Sequence, residues 1–194
     1  MKCAAFAVPG DLNTLTGGYI YDRQLVEGLR TLGWEVEVLS FGTTFPDPSD
    51  EDMTDAVQQL MGLPEGCPVI IDGLAFGAMD PALVAGIKAP IVAMVHHPLA
   101  FENGISAAAK ARLLQSARAN LARVAYTIAP SPHTAQMLKD PYGVPEDKIT
   151  VARPGTVRPT SFTAPQDPPL ILTVGNQVPS KGLVVWLTDL AKIS

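Results

Sequence analysis

Two adjacent histidines, His96 and His97, directly follow an apolar run, IVAMV, and a lysine, Lys181, stands between a glycine-bearing loop and an apolar helix pattern. An imidazole can hydrogen-bond a sugar hydroxyl, move protons or bind a metal. Neighbouring side chains at a strand end point to opposite faces, so two adjacent histidines are poorly placed to share one ion, and no metal site is expected. A lysine at a helix start works against the helix dipole, which makes an anionic partner such as a diphosphate the natural reason for it. An ordinary surface lysine and a histidine bonding loop backbone are the plain alternatives. Gly17 and Gly18, in TGGY, open a helical pattern; without Cβ atoms they let a ligand approach the free N–H groups of a helix start. A plain turn with a helix cap explains the same pair. Glu102 lies six residues beyond His96 and could reach the same cleft or simply face solvent, while Ser131 reads as a helix cap beside His133.

The elements that carry these residues alternate regularly. Apolar runs at Cys3–Val8, Glu35–Leu39, Pro68–Ile71, Ile91–Val95, Tyr126–Ala129 and Lys148–Val151 read as six strands. Helical patterns at Gly18–Leu32, Asp50–Leu63, Asp80–Ile87, Ser106–Arg123 and from Ser131 to about Lys139 separate them. In the first of these Leu25, Val26, Leu29 and Leu32 form the inward stripe, and Gly33 stops it. Strand–helix alternation implies right-handed βαβ units, and continuously apolar strands imply a sheet covered on both faces. The expected fold is therefore α/β, a doubly wound, mostly parallel Rossmann-like sheet. In such sheets ligands sit beyond the carboxyl ends of the strands. The loops found there are Pro9–Gly18, Asp72-Gly73, His96-His97-Pro98, Ser131-Pro132-His133 and Gly175–Gly182.

The texture changes near residue 153. Arg153 to Pro169 holds five prolines and almost no aliphatic side chains, as linkers do. A fresh strand–loop–helix pattern, LILTVGNQVPSKGLVVWLTDL, follows. The expected organisation is a Rossmann-like domain over 1–152, a linker over 153–169 and the start of a second α/β domain over 170–194. A lone strand and amphipathic helix bury little, so this tail is expected to dock on its own or another chain.

Composition narrows the function classes. The 194 residues are 47% hydrophobic with a formal net charge of −5, which argues against nucleic acid as the main ligand. Cys3 and Cys67 have no metal-ligand spacing and read as small buried thiols, in keeping with a cytoplasmic location. No apolar run reaches membrane-spanning length, which leaves room for a peripheral membrane contact. Neither a GxxxxGK(S/T) phosphate loop, a GxSxG elbow nor an HExxH helix is present.

Four stretches together resemble the family-4 glycosyltransferases of the GT-B fold: GGYIYDRQLVEGLRTLGWEVEVL, VHHPLAFENG, SPHTAQML with YGVPEDKITVARPGT, and LTVGNQVPSKG. The resemblance implies the N-terminal, acceptor-side half of a hexosyltransferase-like enzyme for carbohydrate biosynthesis. Such an enzyme takes a sugar from a nucleotide-diphosphate sugar, retains its configuration and needs neither cofactor nor metal. The acceptor is a carbohydrate or a lipid-linked one. By the same resemblance Gly17 and Gly18 lie near the donor phosphates, His96 contacts the transferred sugar, and Lys181 neutralises the departing diphosphate. His97, Glu102 and Ser131 belong to the expected substrate-binding set. Many relatives have an arginine where this chain has Asn176, and the EX7E carboxylate pair of the family is expected far into the second domain, past Ser194, so the chain by itself is expected to be inactive. A non-catalytic Rossmann-like binding or interaction module is the alternative, and another GT-B enzyme, such as a sugar-nucleotide epimerase, a third.

Overall fold

The computed structural model describes residues 2–156, 158–161, 167–168, 170, 172–174 and 181–192. The chain divides into two units, Met1–Pro154 and Gly155–Ser194. The first holds β1 (Lys2–Pro9), α1 (Gly17–Thr31), β2 (Trp34–Phe41), α2 (Asp50–Met61), β3 (Val69–Asp72), α3 (Gly73–Phe76), α4 (Pro81–Val84), β4 (Ile91–Met94), α5 (Ala107–Leu121), β5 (Tyr126–Ala129), α6 (Pro132–Lys139) and β6 (Ile149–Val151). All neighbouring strands run parallel, in the order β2-β1-β3-β4-β5-β6. This is the α/β Rossmann-like sheet that the alternation of apolar runs implies.

Because β1 lies between β2 and β3, the winding reverses beside it, and such a reversal opens a crevice at the carboxyl edge. Strand pleating sends alternate side chains to two cores. Ala5, Ala7, Val69, Ile71, Ile91 and Ala93 join the larger one, with residues of α2 to α6. Phe6, Val8, Ile70 and Met94 join the smaller one, which α1 closes with Val26 and the partly buried Leu25 and Leu29. Leu32, expected on the inward stripe of α1, is 73% exposed because the helix ends at Thr31 and the chain turns at Gly33 (φ 82°).

Each long helix starts on a side-chain cap. Thr16 Oγ1 accepts from Tyr19 N–H, Ser49 Oγ from Asp52 N–H, Ser106 Oγ from Ala109 N–H and Ser131 Oγ from Thr134 N–H. These satisfy N–H groups that no helical turn can reach. The expectation over Asp80–Ile87 contracts to the single turn α4, and α3 is an extra turn that begins without a loop at the end of β3. Between them, buried Asn120 on α5 donates from Nδ2 to the carbonyls of Phe76 and Met79, both at 2.9 Å. Cys67 is buried and Cys3 partly so; burial pushes the Cys67 thiol up to about 11.

The second unit, taken by itself, contains α7 (Leu183–Leu190), entered through Gly182 in the left-handed region at φ 64°. The strand expected over its first residues is not formed at Leu170 or Leu172–Val174. A strand requires a partner to accept its hydrogen bonds, and the described residues of this unit supply none. No helix among the described residues is long and apolar enough to cross a membrane.

The direct passage from β3 into α3 depends on Gly73. A Cβ there would lie 2.9 Å from the Met94 carbonyl oxygen and 3.2 Å from Val95 Cα, backbone atoms at and just past the end of β4. Gly73→Ala is expected to lower stability by about 1–3 kcal/mol, because the β3–β4 pair must spread. Chemical denaturation of the variant against the parent checks this.

Candidate functional site

Pleat parity decides where the two histidines go. Asp72 pairs with Met94 across β3 and β4, and Met94 faces the α1 side of the sheet. Asp72, in step with Ile70, and His96, in step with Met94, therefore turn toward α1. His97 follows the parity of Val95 and lines an apolar crevice on the opposite face with Phe76, Val95, Leu99, Leu138 and Tyr142. The separation expected of adjacent histidines is what forms.

From the other side α1 contributes Asp22, one turn before Val26 on the same inward stripe and fully buried. The three groups converge. His96 Nε2 lies 2.9 Å from Asp22 Oδ1 and 3.6 Å from Asp72 Oδ2. Asp72 Oδ1 caps α3 by accepting from Leu74 N–H at 2.7 Å. One ligand atom from each of Asp22, Asp72 and His96 falls within 4.8 Å of the others. Asp22 Oδ2 is buried without a hydrogen-bond partner.

Two tyrosines of α1 wall the cluster. Tyr21 meets the His96 ring edge-on, with centroids 5.3 Å apart at 83°, and its hydroxyl donates to the Ala152 carbonyl at 2.9 Å. Tyr19 donates to the Pro9 carbonyl at 2.7 Å, tying the tip of β1 to the helix. Burial, with Asp72 and Asp22 nearby, pushes the Tyr19 hydroxyl up to about 12, so it remains a donor.

The electrostatics follow from burial. Desolvation, then the charge of Asp22, pushes the Asp72 carboxyl up to about 7, against the opposing pull of His96 and the Leu74 N–H. For His96, desolvation works against the imidazolium, but the hydrogen bond to Asp22 and the charges of Asp22 and Asp72 outweigh it and raise the pKa. At neutral pH the cluster therefore holds protons that the separated groups would release.

Gly18 lies beside the cluster. A Cβ on it would touch His96 Cδ2 at 3.4 Å, so the start of α1 lies directly against the imidazole edge. The N–H groups of Gly17 and Gly18 precede the first helical bond, Ile20 N–H to the Thr16 carbonyl, and carry the positive end of the helix. A Cβ on Gly17 would meet open space.

The remaining expected site residues are dispersed. Ser131 spends its hydroxyl on capping α6, accepting from Thr134 N–H at 3.0 Å. Glu102 is exposed at the end of a single 3-10 turn, Leu99–Phe101. Lys181 belongs to the second unit, immediately before Gly182 and α7. Gly175 and Asn176 lie outside the described residues.

The sequence reading missed Asp22 altogether and saw Asp72 only as a strand-tip loop residue. The signal for Asp22 was available: it is a carboxylate four residues ahead of Val26, on a stripe otherwise apolar. A charge in that register is either buried with a partner or costly.

A parallel sheet with this winding reversal is Rossmann-like, and the polar cluster stands at the carboxyl edge, where such folds place ligands. Residues 68–157, from just before β3 past the end of β6, match the profile of Glycosyltransferase Family 4. The matched stretch contains Asp72, His96, His97, Glu102 and Ser131, while Gly17, Gly18 and Asp22 precede it. No curated protein matched the chain.

Raised native pKa values mean that the folded state binds protons more tightly than the unfolded chain. Stability then falls as pH rises. For Asp72 the loss spans the interval from the ordinary carboxylate range to about 7; for His96 it comes as pH passes its raised pKa. Asp72→Asn keeps an acceptor for the Leu74 N–H but cannot ionise. Thermal unfolding followed between about pH 5 and about pH 8 should show the parent losing more stability than the variant over that interval.

Proposed function

We propose that Met1–Pro154 is the acceptor-side half of a GT-B glycosyltransferase that moves a sugar from a nucleotide-diphosphate sugar to a carbohydrate or lipid-linked acceptor, with retention of configuration. The observation that carries the reading is the closeness of Gly18 to His96, which sets the free N–H end of α1 beside an imidazole at the strand tips. Such a pairing suits a sugar joined to a phosphate. The helix start favours the anion, and the imidazole offers its remaining nitrogen to a sugar hydroxyl.

In this reading His96 is a hydrogen-bond donor to the transferred sugar, and Gly17 and Gly18 let the donor phosphates approach the backbone. Lys181 supplies the cation that neutralises the departing diphosphate. Charge that builds up on a leaving group is stabilised best by donors already in place, with no reorganisation at the moment of transfer. Neither a metal nor a cofactor is invoked, and the reaction belongs to carbohydrate biosynthesis in the cytoplasm.

The test uses the full-length protein with a panel of nucleotide sugars, measuring release of nucleoside diphosphate with and without sugar acceptors. Acceptor-dependent release supports the reading, and no release with any donor overturns it. His96→Ala and Lys181→Ala should each lower the rate by roughly a hundredfold, the usual effect of losing one preorganised donor. An unchanged rate in either variant removes that residue from the reaction.

A further inference from the structure

The buried, unpartnered oxygen of Asp22 has a simple explanation in its surroundings. Two carboxyl groups packed together out of water do not both ionise, since each charge opposes the other. One proton between them is the inexpensive solution. Asp72 is the group placed to hold it: its Oδ1 already accepts from the Leu74 N–H, which leaves Oδ2, on the His96 side, free to carry a hydrogen. A hydrogen there can be shared with the Asp22 carboxylate, which hydrogen-bonds the Asp72 side chain. Asp22 Oδ1 then accepts from His96 Nε2–H at 2.9 Å.

We propose that Asp22 is a positioning residue: backed by a protonated Asp72, it holds His96 with Nε2–H turned inward, so that Nδ1 is the nitrogen presented to the ligand. The inference rests on the reading that His96 contacts the transferred sugar. Nδ1 has no partner among the described residues, and the ring is about a quarter exposed (24%), so one nitrogen is committed and the other open. The edge-on ring of Tyr21 fixes the plane of the imidazole.

The charged and titratable groups facing the ring are Asp22 and Tyr21 from α1 and Asp72 from the end of β3, with Tyr19 beside the two carboxyl groups. Among the described residues no lysine or arginine pairs with either carboxylate. Asp22 therefore sets both the tautomer and the charge of His96. With the ring protonated, Nδ1–H is a donor aimed at a sugar or phosphate oxygen; with the ring neutral, Nδ1 is an acceptor.

The decisive measurement is nitrogen-15 and proton NMR of the histidine rings of the 194-residue chain, with the His96 signals assigned through His96→Gln. In the parent, neutral His96 should be protonated at Nε2, and its titration midpoint should lie above the ordinary value of a histidine. In Asp22→Asn the midpoint should drop and the tautomer preference should be lost. Asp72→Asn, which imitates the protonated acid, should keep the Nε2–H tautomer. A His96 midpoint and tautomer unchanged in Asp22→Asn overturn the proposal. If that variant does not fold, release of the tautomer in Asp72→Asn does the same. A change of the parent His96 signals on adding EDTA also overturns it, because a divalent cation would then occupy the oxygens in place of the proton. These readings need no substrate, so failure of the transfer assay with the NMR result intact would sink the glycosyl-transfer reading and leave the positioning of His96 standing. In the full-length protein, Asp22→Asn should lower kcat with little change in donor KM and move the alkaline limb of the pH–rate profile downward.

Discussion

Two buried carboxyl groups pack against an imidazole that is mostly shielded from water, and the three constrain one another. Their charges balance only when protons are shared among them, and sharing requires separations held near hydrogen-bond length. Asp22 comes from α1, Asp72 from the end of β3 and His96 from the loop after β4. The sheet register, the direct turn from β3 into α3 and the seating of α1 must therefore all be correct together. Gly73 and Gly18 are the positions where backbone has to come closest for this to happen, against β4 and against the imidazole respectively.

The fold was largely legible in the sequence because its signals are local and redundant. Most strands are short apolar runs ended by glycine, proline or a polar pair, β2 alternates instead, and α1, α2, α5 and α6 each follow a Thr or Ser cap. Where one of those signals is missing the reading fails. The turn Gly73–Phe76 is too short to show a helical period, and Leu170–Val174 looks like a strand in composition but lacks a neighbouring strand in its own unit. Strand formation is a property of pairs, and no single run of residues can report it.

The site was legible only in part, for a related reason. His96 and Gly18 stand at positions where topology places ligands, so their types and locations pointed to them. Asp22 sits on a helix face that periodicity assigns to the core, and an assignment by periodicity has no place for a buried acid. Its partners are 50 and 74 residues away in the chain. Ser131 shows the converse: a hydroxyl at a strand tip looks available, but the helix it starts has already claimed it.

Tyr21 joins two things that have no chemical need of each other. Its ring is a wall of the imidazole pocket, and its hydroxyl is fastened to the carbonyl of Ala152, two residues before the first unit ends at Pro154. The outgoing chain is thus moored to the same side chain that keeps the imidazole upright. Loss of the Tyr21 side chain would therefore remove the imidazole's edge-on neighbour and the donor to Ala152 together.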